Sequence, residues 1–183
     1  MWWQRVFGTL HAVPALERPD LLAGPVERTL KGLDDAALVG VAEIDPELAD
    51  TAAFCAAYSS PPEVSANCVV VAGRRGDETR RAACLVLATT RADVNGLVRR
   101  RLGARKASFA PMDDAVALTG MEYGGITPIG LSEGWPLLVD PAVAAAEAVV
   151  VGSGVRRSKL AVPGALLAAL PGAEVLDGLG RPV

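Results

Sequence analysis

The chain contains a single histidine, three cysteines and few aromatic residues (4%), and no apolar run approaches membrane-spanning length. Each shortage excludes something. A bilayer-crossing helix needs about 18 or more consecutive apolar residues, so no transmembrane segment and no membrane partner are expected. The opening Met1-Trp2-Trp3-Gln4-Arg5 lacks a basic region followed by an apolar stretch, so a secretory leader is not expected either. His11 lies in an irregular lead-in, where it reads as a surface or loop histidine. A Ser-His-Asp or Cys-His relay would have to recruit that segment. Cys55, Cys68 and Cys84 are odd in number, widely spaced and without a CxxC pair, which fits buried thiols in a reducing cytoplasm. A zinc site is unsupported for the same reason, so no metal is expected. No GxxxxGKS or GxxxxGKT appears, and no GxGxxG follows a strand, so no nucleotide cofactor is expected.

What is present suffices for a sizeable core. Hydrophobic residues make up 51% of 183, with Ala, Val and Leu supplying the bulk. One domain is expected over residues 41–183, preceded by an N-terminal extension over 1–40. The tail after Asp177 is the one segment left open to disorder. The net charge of −3 argues against a general nucleic-acid binder, but its distribution is uneven. Residues 1–66 hold ten acids against four bases, whereas 74–159 hold thirteen bases against nine acids. A locally basic half suits an acidic ligand, although solvated arginines on helix faces would give the same count.

Pro14, Pro19, Gly24 and Pro25 punctuate the lead-in. Leu38 to Ile44 alternates as a short strand, after which Asp45 caps a helix opened by Pro46 and running through Tyr58. Cys68–Ala72 and Ala82–Thr89 read as a buried antiparallel hairpin joined by the polar stretch 73–81. Asp93 caps a helix that Gly103 stops. Lys106–Phe109 is a strand candidate, and Met112–Leu118 a helix ended by Gly120. Leu137–Val139 and Val149–Val151 follow as strands around a helical turn or two at 141–148, and Pro163 opens a last helix to Leu170. This irregular alternation predicts an α/β (α+β) fold, a mixed and partly barrel-like sheet with flanking helices, in place of a doubly wound one.

Between these elements, Gly120-Met121-Glu122-Tyr123-Gly124-Gly125-Ile126-Thr127-Pro128-Ile129-Gly130 packs four glycines and a proline into eleven residues. Its Gly-Gly pair can aim backbone N–H groups into a pocket, the usual way to hold an anion without a charged side chain. On composition alone a structural turn explains it as well. Arg91, Asp93 and Asn95 cluster at a strand-to-helix junction within reach of a ligand, with Asp93 equally read as a helix cap. Arg99, Arg100, Arg101, Arg105 and Lys106 either guide a nucleic-acid backbone or form a solvated helix face.

The order Thr119-Gly120, Gly124-Gly125-Ile126-Thr127-Pro128, Gly130 resembles the signature of the YbaK/EbsC-type aminoacyl-tRNA deacylases. Further matches occur in order. Asp45-Pro46 with Thr51 resembles a His-Asp-Pro…Thr element, with Glu43 or Ile44 at the histidine-like position. Leu102-Gly103-Ala104-Arg105-Lys106 resembles a helix end, Leu137-Leu138-Val139-Asp140 a strand, and Val151-Gly152-Ser153-Gly154 a late loop. The resemblance spans about residues 41–170. It implies hydrolysis of the ester between a wrong amino acid and its tRNA by an ordered water aided by substrate ribose hydroxyls, without a protein nucleophile. It implies a YbaK-like fold and a partner consisting of the aminoacyl-tRNA 3′ end or an aminoacyl-adenosine-like ligand, with an aminoacyl-tRNA synthetase nearby.

Carried over residue by residue, the resemblance makes Asn67, Gly124, Gly125 and Lys159 the catalytic candidates. It assigns substrate contacts to Gly120, Met121, Glu122, Ile126, Thr127, Pro128 and Ser153, with Arg91 and Asn95 added from their position. The family lysine at the start of the first hairpin strand is Asn67 here, which hydrogen-bonds but carries no charge. A late acidic position falls near Ser158-Lys159, so a cation replaces a carboxylate. Lys159 relocating the lost charge is one expectation, and a changed substrate is another. The third is a non-catalytic module binding an aminoacyl, amino-acid or nucleotide ligand in a retained pocket.

Overall fold

A computed structural model describes residues 1–183. Eleven strands occur along the chain: β1 (Val13–Pro14), β2 (Gly40–Glu43), β3 (Ala66–Arg75), β4 (Glu78–Leu87), β5 (Thr90–Ala92), β6 (Lys106–Phe109), β7 (Leu137–Val139), β8 (Val149–Gly152), β9 (Ser158–Val162), β10 (Ala173–Val175) and β11 (Gly180–Pro182). The helices are α1 (Gln4–Phe7), α2 (Gly24–Lys31), α3 (Thr51–Tyr58), α4 (Arg99–Arg101), α5 (Met112–Thr119), α6 (Pro141–Ala144) and α7 (Gly164–Ala168). Two sheets carry the fold: a mixed five-stranded one ordered β10-β7-β4-β3-β6 and an antiparallel four-stranded one ordered β1-β2-β9-β8. They touch through an isolated parallel bridge between Ser65 and Val150. The expected mixed α/β architecture is what forms.

The hairpin β3–β4 pairs without interruption from Ala66↔Leu87 to Arg75↔Glu78 around a turn at Gly76 and Asp77. Its strands therefore run through much of the stretch expected to be a connection. The outer residues are polar because they stand in solvent, while their backbones remain paired. Asp45 and Pro46 open only a 3-10 turn, Pro46–Leu48. The helix proper is started by a second aspartate: Asp50 Oδ1 accepts from the amides of Ala52 and Ala53 at 3.1 and 3.2 Å, holding its own backbone extended. Asp93 caps as expected, accepting from Gly96 and Leu97, but the segment it starts winds as a π-helix, Val94–Val98, before α4.

Two expectations change more. The chain around Ser158 and Lys159, for which the sequence suggested no element, is the start of β9, whose five residues are all buried between β2 and β8. The tail is ordered as well. Leu179 is fully buried, the Gly180 amide donates to Asp140 Oδ2 at 2.7 Å, and β11 pairs with β5. Three apolar clusters fill the interior. The largest lies between the sheets under α2; a second joins Trp3, Phe7 and Phe54 to Ala161; the third packs Val94, Val98 and Leu102 on the outer face of β3 and β4. Residues 1–40 contribute Trp3, Phe7, Leu21, Val26, Leu30 and Val39 to this packing, all nearly inaccessible. Because Leu179 closes the third cluster, Leu179→Ala is expected to destabilise the protein by about 2–5 kcal/mol, read by urea unfolding.

Candidate functional site

A cavity of about 970 Å³ opens where β3, α3, β8 and the glycine-rich segment meet. Its volume is at the upper end for small-ligand sites, about 300–1,000 Å³. Asn67, Gly124, Ile126 and Lys159 all line it, together with Asp50, Thr51, Phe54 and Cys55 from the start of α3 and Gly152 from β8. Residues predicted from three separate stretches of sequence thus converge.

Lys159 is the chemical centre of the wall. It is 7% exposed; its ammonium donates to Ala49 O at 2.8 Å and sits 5.6 Å above the Phe54 ring. Burial lowers its pKa to about 8, opposed by the nearby Asp50 carboxylate and reinforced by Arg156. One Nζ hydrogen is used by Ala49, and two remain for a ligand. Asn67 Oδ1 accepts from the Thr51 hydroxyl at 2.8 Å, which leaves the Asn67 amide group free to donate. Cys68 also lines the cavity, but burial pushes its thiol well up, so it stays protonated and is a poor nucleophile.

The glycine-rich segment is built differently from a simple amide cradle. The Gly125 amide donates to Glu122 O at 2.9 Å, so the Gly-Gly pair does not present two free N–H groups. The amides of Gly124, Ile126 and Thr127 donate to no group of the chain, and Thr127 Oγ1 is a buried hydroxyl without a partner. Gly125 and Gly152 are glycines because two backbones touch there. A Cβ on Gly152 would stand 2.4 Å from Gly125 O, and one on Gly125 would stand 2.8 Å from the Val155 backbone. The segment also has a second side. Gly120, Pro128 and Gly130 line a separate cavity of about 990 Å³ beside Arg28 and Trp135.

The remaining candidates lie apart from the first cavity. Met121 is buried in the core, and Glu122 is exposed, accepting from the Arg156 amide at 3.3 Å. Ser153 is buried and braces its own loop through Ser158 Oγ at 2.6 Å. Arg91 pairs within β5 opposite Arg181, and Asn95 sits in the π-helix; neither lines the cavity. Two participants escaped the sequence reading. Asp50 was hidden behind the equally good cap at Asp45. Arg156 donates to Tyr123 O at 3.2 Å and Pro46 O at 2.9 Å, tying the glycine segment to the turn before α3, a long-range role with no local signal.

The protein is a mixed α/β domain with an open cavity bordered by a buried lysine, unpaired backbone amides and no histidine. The aminoacyl-tRNA editing domain family matches residues 45–170, and the chain belongs to that family. No curated protein matches it in sequence. Among solved structures, a candidate trans-editing enzyme for prolyl-tRNA synthetase shares 23% identity over 87% of this chain and 99% of the other, with a TM-score of 0.70. A scaffold used for computational grafting of linear epitopes shares 24% over 87% and 97%, with a TM-score of 0.72. Both establish likeness of fold.

Lysine in water titrates near 10.5, so the cavity penalises the Lys159 ammonium below about pH 8. Between about 8 and 10.5 the unfolded chain binds more protons than the folded one, and stability from this group rises with pH. Urea unfolding at pH 7 and pH 10 is expected to show wild type gaining on Lys159→Met with rising pH, by on the order of 3 kcal/mol at most.

Proposed function

We propose that the chain hydrolyses mischarged aminoacyl-tRNA in trans, with Lys159 supplying the positive charge that Asn67 does not. The observation carrying this reading is that the Lys159 ammonium borders the same cavity as Asn67, Gly124 and Ile126. Water adds to the ester carbonyl carbon, and the bond from that carbon to the ribose oxygen breaks. The ribose oxygen takes up one proton of the water, the other is released to solvent, and the amino acid leaves as its carboxylate. The free amides of Gly124 and Ile126 stabilise the oxygen that turns negative, an interaction strongest in the transition state. The spare protons of Lys159 and the Asn67 amide group hold the acyl end in place, and apolar walls limit its size. Such a site adds a second selection step where a first pocket discriminates weakly, since a methylene is worth only about 1–3 kcal/mol.

The test is deacylation of a panel of mischarged tRNAs at low salt beside a working deacylase. Wild type is expected to release at least one amino acid. Lys159→Met is expected to lower kcat/KM by about 10²-fold or more, as removal of a preorganised charge does. Adding Asn67→Lys to Lys159→Met is expected to restore part of the rate if the charge can be supplied from either wall. Hydrolysis of no panel member, with the control active, sinks the reading. Binding of aminoacyl-adenosine without turnover would favour a non-catalytic module.

A further inference from the structure

β3 carries the cavity at one end and a cationic face at the other. Side chains alternate across a strand, so Cys68, Val70, Ala72 and Arg74 point to one side of the sheet. All five residues from Ala66 to Val70 line the cavity, which opens around this end of the strand and takes Cys68 and Val70 from this face. Further out, the register sets Arg81 of β4 opposite Ala72, and Lys106 of β6 opposite Arg74. Arg74, Arg81 and Lys106 therefore share one face of the sheet with Cys68 and Val70. Four residues separate Val70 from Arg74, about 13 Å at the usual strand rise.

No carboxylate balances these three. Glu78, the one acid within β3 or β4, pairs across from Arg75 on the opposite face and is held by Arg80 at 2.9 Å. None of Arg74, Arg81 and Lys106 forms an ion pair. Like charges directly opposite across strands are destabilising, and Arg74 against Lys106 is such a pair. A folded domain with a net charge of −3 thus gathers uncompensated cations beside its ligand cavity.

Resting on the editing function proposed above, we infer that Arg74, Arg81 and Lys106 form the docking face for the phosphate backbone of the tRNA acceptor stem. With the aminoacylated 3′ end in the cavity, the unpaired terminus leaves along β3, and the duplex meets the cations where the sheet becomes solvent-exposed. The rigid hairpin fixes the separation between the two contacts. A base-paired substrate is thereby favoured over a free aminoacyl ester, without any reading of base sequence, since phosphate contacts position and carry no sequence information.

The test compares wild type with Arg74→Gln/Arg81→Gln/Lys106→Gln on two substrates, mischarged tRNA and 3′-O-aminoacyl-adenosine. The variant is expected to lose about tenfold or more in kcat/KM on tRNA, through KM, and to keep its rate on the adenosine ester. Binding of uncharged tRNA, measured against salt, is expected to show a log–log slope shallower by about one for each cation removed. This arm stands even if wild type deacylates nothing, in which case the proposed hydrolysis fails and the docking face is judged on binding alone. Equal loss on both substrates, an unchanged salt slope, no tRNA binding by wild type, or binding transferred to anionic vesicles would each overturn the inference. Lys106→Glu, which places an acid opposite Arg74, is expected to stay folded and to weaken tRNA binding further than the glutamine variant does at that position.

Discussion

The site depends on a backbone-to-backbone seam between the glycine-rich segment and the loop joining β8 to β9. Gly154 N–H donates to Gly125 O at 2.7 Å, and Glu122 N–H donates to Gly154 O at 2.8 Å. No side chain separates the two strands of chain, because none fits at Gly125 or Gly152. The contact places the glycine-rich wall against the elements that supply the rest of the cavity. It brings Gly124 and Ile126 to the cavity that β3 also lines, and β9, starting just after the same loop, carries Lys159 to it with its ammonium over Phe54. Arg156, from the same loop, then fastens the segment to the turn before α3.

Lys159 shows what such a placement demands. A lysine in the interior of a strand is held charged only against its desolvation, and its lowered pKa reflects that imbalance. The surrounding groups soften the penalty without removing it: one carbonyl, one aromatic face, and Asp50 at the helix start. A residue kept in this state is more readily understood as serving a ligand than as serving the fold, since an apolar side chain of similar length would pack there with less opposition.

Much of the fold was legible because its cues are local. Aspartate caps, prolines at first turns, glycines after last turns and the apolar hairpin each announced an element near where it lies. What escaped was set by tertiary contact. β9 begins with Ser-Lys, which carries no strand signal until its neighbours on both sides are known. β11 is too short to show a pattern, and the outer hairpin looked like a connection because exposure and pairing leave different marks on sequence. The site divided in the same way. Asn67, Gly124 and Lys159 were found by ordered likeness to a family, and they do converge. Met121, Ser153, Arg91 and Asn95 stand outside the cavity lining, because which way each side chain faces is set by tertiary packing.

The glycine-rich segment is a partition one chain thick, with Gly124 and Ile126 facing one chamber and Gly120, Pro128 and Gly130 facing another. Proline at 128 and the close approach of Gly130 to Pro25 leave the segment little freedom to bend between its two faces. The two cavities thus share one wall, and α2, through Pro25, stands directly behind it.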